Sequence, residues 1–99
     1  MNRTEHLLTC LMEECAEIQK AAAKALRFGL DDHAPGSDAT NADDISHEII
    51  DLLAIIEMLK AEKIISDINQ QETELLIEAK KEKVEIYMVY SKERGSLTL

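Results

Sequence analysis

Two short stretches carry residue types that could do chemistry. Glu13-Glu14-Cys15-Ala16-Glu17 and Glu48-Ile49-Ile50-Asp51 each set two carboxylates three residues apart inside an otherwise apolar run. At that spacing the side chains share one face of an α-helix and can reach a common ligand. Setting Glu14, Glu17, Glu48 and Asp51 against core-facing positions is costly unless a positive charge sits among them or some of them protonate. An all-oxygen set with no His or Cys suits a hard divalent cation, Mg²⁺ or Mn²⁺, and disfavours zinc or copper. The Glu-x-x-His pairs of di-iron bundles do not occur here. Mg²⁺ keeps part of its water shell and recruits substrate phosphates, so metal-assisted phosphate chemistry is the expectation.

The elements that must position these acids are helices. The composition is 45% hydrophobic but only 3% aromatic, with one Pro and three Gly, which points to long helices over a sandwich. A first helix is predicted from Asn2 or Thr4 to Phe28, with Gly29 as its stop. Its apolar stripe is Leu7, Leu8, Leu11, Cys15, Ile18, Ala22, Ala25 and Leu26. Residues 29 to 43 carry Gly, Pro-Gly and Asp/Asn clusters without a period and read as a loop, either a crossover or a flap over a site. A second helix starts after Asn41, Asp43 or Asp44 and runs to about Lys63. Asn69-Gln70-Gln71-Glu72 has capping-box spacing and opens a third helix, carried to about Tyr90. Gly95 ends the regular structure.

A helical-wheel count at about 100° per residue puts Glu14 roughly 60° and Glu17 roughly 120° to one side of the first stripe. Glu48 and Asp51 fall at nearly the same angles beside the second stripe, which is Ile45, Ile49, Leu52, Ile56 and Leu59. Antiparallel packing brings equal offsets to one flank, so the four acids are expected to converge. Glu13 points away and reads as solvated. The second helix is apolar nearly all round, which one neighbour cannot cover. The expected fold is therefore all-α: a single domain over residues 1–99, an antiparallel helical bundle completed by homo-oligomerisation as a dimer or tetramer.

Charge and cysteine content bound the rest. A net charge of −9 with no basic stripe argues against nucleic acid as a partner. No leader and no apolar run of membrane length is evident, and Cys10 and Cys15 diverge by about 140° on one helix, so they are not expected to bridge each other. They read as core thiols, and the expected location is cytoplasmic, with no membrane partner.

With these residues in view, the pattern Glu13-Glu14-Cys15-Ala16-Glu17 followed by Glu48-Ile49-Ile50-Asp51 resembles the EExxE…ExxD signature of the MazG-like all-α nucleotide pyrophosphohydrolases. Ala25-Leu26-Arg27-Phe28-Gly29 and Asp51-Leu52-Leu53-Ala54 are also similar to small phage and bacterial members. The resemblance covers the first two helices, about half of the chain. It implies Mg²⁺-dependent hydrolysis of a nucleoside triphosphate to a monophosphate and pyrophosphate. Glu14, Glu17, Glu48 and Asp51 would hold the metal and be the catalytic set.

Substrate phosphates should also meet basic side chains. Lys24, two turns beyond Glu17 on nearly the same side, is the first choice. Lys83, Tyr87 and Tyr90 on the third helix are further candidates for phosphate and base contacts, with Arg27 and Asn41 behind them. His6, His33 and His47 show no ligand spacing with the acids. Two other readings compete: a related pyrophosphohydrolase acting on another nucleotide such as phosphoribosyl-ATP, and a catalytically silent helical module that binds a partner protein.

Overall fold

A computed structural model describes all 99 residues, Met1–Leu99. The chain is all-helical, with α1 at Arg3–Phe28, α2 at Asn41–Ala61 and α3 at Gln70–Glu93. It divides into two compact units, Met1–Ser66 and Asp67–Leu99.

In the first unit α1 and α2 form an antiparallel hairpin. At its open end the Arg3 guanidinium donates to both Glu62 carboxylate oxygens, at 2.8 and 2.9 Å. At its closed end the buried Asn41 side chain donates to the Gly29 carbonyl at 2.8 Å. Asn2 caps α1 by accepting from the Glu5 N–H, and Gly29 ends it at φ 102°, a conformation β-carbons disfavour. Thr40 and Asp43 form a reciprocal capping box at the start of α2. The loop is therefore residues 29–40, and Asn41 to Asp43 belong to the first turn of α2. That helix stops at Ala61, two residues short of the predicted end. Lys63 takes φ 58°, while its N–H donates to the Lys60 carbonyl and the Ile64 N–H donates to that of Leu59, which together close the helix.

The packed seam differs in angle from the predicted stripes. Among the buried and half-buried positions on α1, one continuous row runs through Leu7, Leu11, Glu14, Ile18, Ala21 and Ala25, flanked by half-buried Thr9, Cys10, Ala22 and Lys24. On α2 the corresponding row runs through Asn41, Ile45, Glu48, Leu52, Ile55 and Leu59, flanked by half-buried Asp44 and Ile56. Both follow alternating spacings of four and three, the pattern of two helices in a close antiparallel seam. By the ~100° count each seam is rotated about 40° from the apolar stripe toward the acids. Ala21 and Ala25 let the backbones approach, while Leu26 is left 89% exposed and Ile50 60% exposed. Cys15, expected in the core, is also exposed.

The second unit is one helix and its flanks. Asn69 caps α3 by accepting from the Glu72 N–H at 2.8 Å. The helix runs to Glu93, three residues beyond the expected end, because Ser91, Lys92 and Glu93 continue the turn until Gly95 at φ 83° closes it. It buries no residue, and Leu75, Ile86, Tyr87 and Tyr90 are all more than half exposed. No helix is long and apolar enough to cross a membrane.

Candidate metal centre and the cavity beside it

The rotation of the seam decides how the acids meet. Glu14 and Glu48 occupy seam positions near the middle of the hairpin, and both are half-buried. Asp51 lies one turn after Glu48 on α2 and is more exposed. One carboxylate oxygen from each of Glu14, Glu48 and Asp51 lies within 4.8 Å of the other two. Opposite ligands around a hard divalent cation stand about 4–5 Å apart, so three oxygens at this separation can share one ion.

The electrostatics of the trio follow from its position. Partial burial pushes the Glu14 carboxyl above its ordinary range, and the charges of Asp51, Glu48, Glu17 and Glu13 push it the same way. A carboxyl raised by lost water and by like charge is stabilised in its ionised form by a cation placed among the same groups. The donor set is all oxygen, which matches Mg²⁺ or Mn²⁺ in kind.

Glu17 stands outside the trio. It lines a cavity of about 270 Å³ together with Lys20, Lys24, Asn41, Asp44 and Glu48. Four predicted acids thus resolve into three that converge and one that flanks them, with Glu48 common to both groups. Lys24 is half-buried here, and Lys20 lies one turn before it on α1. The cavity therefore adjoins the converging trio through Glu48 and adds two ammonium groups that could meet phosphate oxygens.

Two cavity residues escaped the sequence reading as site residues. Asp44 precedes Glu48 by one turn, and Lys20 precedes Lys24 by one turn. The signal was the same-face spacing already used for the acids. Asn41, a weaker candidate for substrate, is held by the Gly29 carbonyl and serves the hairpin's closed end. Arg27 stacks over the Phe28 ring, 4.6 Å from its centroid. Lys83, Tyr87 and Tyr90 belong to α3 in the second unit, where all three are exposed.

A second cavity of about 270 Å³ opens on the loop side, lined by Lys24, Phe28, Asp32, His33, Pro35 and Asn41 among others. Lys24 and Asn41 line both cavities. Comparison with protein-family models, curated proteins and solved structures gives no match.

Proposed function

We propose that this protein is a Mg²⁺-dependent nucleotide pyrophosphohydrolase that converts a nucleoside triphosphate to the monophosphate and pyrophosphate. The observation that carries this reading is the convergence of Glu14, Glu48 and Asp51 beside a cavity that also contains Lys20 and Lys24. The resemblance of the acidic signature to the MazG-like enzymes supplies the reaction.

Glu14, Glu48 and Asp51 would hold the cation, which, when bound, neutralises triphosphate oxygens and favours ionisation of water. Lys20 and Lys24 would bind the remaining phosphate charge and orient the chain along α1. In the reaction water attacks phosphorus, one phosphoanhydride P–O bond breaks, and pyrophosphate leaves with the bonding electron pair. The proton lost by the water needs an acceptor within the cavity. Glu17, outside the trio yet lining the same cavity as Glu48, suits that task better than the role of a fourth ligand.

The assay is pyrophosphate release from a panel of ribo- and deoxynucleoside triphosphates and phosphoribosyl-ATP, with and without Mg²⁺. Glu48→Gln is expected to lower metal affinity by about 10–100-fold and activity with it. Glu17→Gln is expected to lower kcat by about 10²-fold or more while Mg²⁺ affinity holds. Absence of pyrophosphate from every nucleotide, or full activity in Glu48→Gln, would defeat the proposal.

The same reading includes a homo-oligomer. Ile49, Ile50 and Leu53 on α2, with Leu8 and Leu26 on α1, form apolar surface that the hairpin leaves exposed. A second copy would cover it and complete a bundle. Two free cysteines go with a cytoplasmic location. A silent interaction module is the rival reading, favoured by the absence of any buried residue in α3. Calorimetry separates them, since a silent module binds neither Mg²⁺ nor nucleotide specifically.

A further inference from the structure

The two cavities share Lys24 and Asn41 as lining residues but differ in chemistry. The first carries Glu17, Asp44, Glu48 and Lys20. The second is walled by Phe28, Ala34 and Pro35, with Asp32 and His33 as its polar groups. Each is about 270 Å³, a little below the roughly 300–1,000 Å³ of small-molecule sites. A ligand filling both would place its anionic end beside the lysines and a flat, mostly apolar end beside Phe28.

The loop that forms the second cavity is pinned to the hairpin. The Asn41 N–H donates to the Asp32 carbonyl at 2.8 Å, and the Ala42 N–H donates to that of Leu30 at 3.0 Å. With the Asn41 side chain on Gly29, these bonds tie the first part of the loop to the first turn of α2. Phe28 is 54% exposed as a residue, and the Arg27 guanidinium lies over its ring, 4.6 Å from the centroid. An exposed aromatic ring on a tied-down wall is a stacking platform for another π-system. Asp32 and His33 add hydrogen-bonding groups that can meet a heterocycle's edge.

We infer that the cavity between the end of α1 and the loop at residues 32–35 is the base-recognition subsite, with the nucleobase stacked on Phe28 and Lys24 bridging to the phosphates. This rests on the reading of the acidic cavity as a phosphate site. It assigns substrate discrimination to Phe28, Asp32 and His33, apart from the acids that would hold the cation.

The test is calorimetry in Mg²⁺ with two probes, tripolyphosphate and an α,β-methylene nucleoside triphosphate that resists cleavage. The wild type is expected to bind the nucleotide about tenfold more tightly, on the scale of one base–aromatic stack. Phe28→Ala should erase that difference and leave tripolyphosphate binding unchanged. In parallel, nucleotide but not tripolyphosphate should shift the backbone amide resonances of Phe28, His33 and Ala34 in the wild type. Equal affinity for the two probes, or a Phe28→Ala variant that keeps the nucleotide advantage, overturns the base subsite while the phosphate site stands. Failure of both probes to bind overturns the phosphate site and the inference with it.

Discussion

Glu14 is the residue whose environment departs furthest from its type. A glutamate in a helical seam loses water on two sides, and four neighbouring carboxylates oppose its charge. Because its folded-state pKa is raised, folded protein binds the proton more tightly than unfolded chain. At pH below the ordinary glutamate range the group is neutral in both states and costs nothing. Stability falls as pH rises from that range through the raised value, and the deficit persists above it. Glu62, held low by Arg3, and Asp43, held low by Thr40, work in the opposite sense. Their stabilisation is present above the ordinary carboxylate range and lost as pH falls through their lowered values. Glu14→Gln in metal-free protein should therefore raise Tm at neutral pH, with the gain vanishing toward acid pH. A pH series of thermal melts checks this. Adding Mg²⁺ should raise the wild-type Tm and leave the variant less affected.

At the scale of elements, helix ends were more legible than helix faces. Asn2, Gly29, Asn69 and Gly95 act locally, through one hydrogen bond or one backbone conformation, so their roles could be read one residue at a time. The end of α2 was missed by two residues because Lys63 occupies the left-handed position usually given to glycine or asparagine. Lys63→Gly should relieve that conformation and stabilise the hairpin by about 0.5–1 kcal/mol net of the added unfolded-state entropy. For a unit of this size the expected rise in Tm is about 2–8 °C by calorimetry. The packed faces were harder. An apolar stripe averages large side chains along a helix, including those such as Leu26 and Ile49 that this hairpin leaves exposed. The observed seam instead follows the small residues Ala21 and Ala25 and the positions that continue their spacing.

At the scale of the whole molecule, a chain of 99 residues that buries only Leu7, Ala21, Ala25 and Leu59 among its apolar side chains has a small core. Chains of this size commonly gain stability by association. The proposed oligomer makes a direct prediction: Ile50→Glu, on exposed surface of α2, should lower the mass measured by light scattering to that of one chain. An unchanged mass would place any self-association elsewhere. If the oligomer also stabilises the hairpin, the variant's Tm should become independent of protein concentration while the wild type's rises with it.

Residue types and their spacing were enough to mark three helices, the absence of strands, and Glu14, Glu48 and Asp51 as neighbours on facing helices. Those features depend on local hydrogen bonding and on a period of 3.6 residues, both written along the chain. Which edge of each helix meets the other was not, because that depends on how closely two backbones can approach. Packing turned both seams toward the acids, drew Glu14 and Glu48 inward, and left Glu17 in the cavity with Lys20 and Lys24. The pairing of that cavity with the one beside Phe28 likewise arises only when the loop is tied back through Asn41.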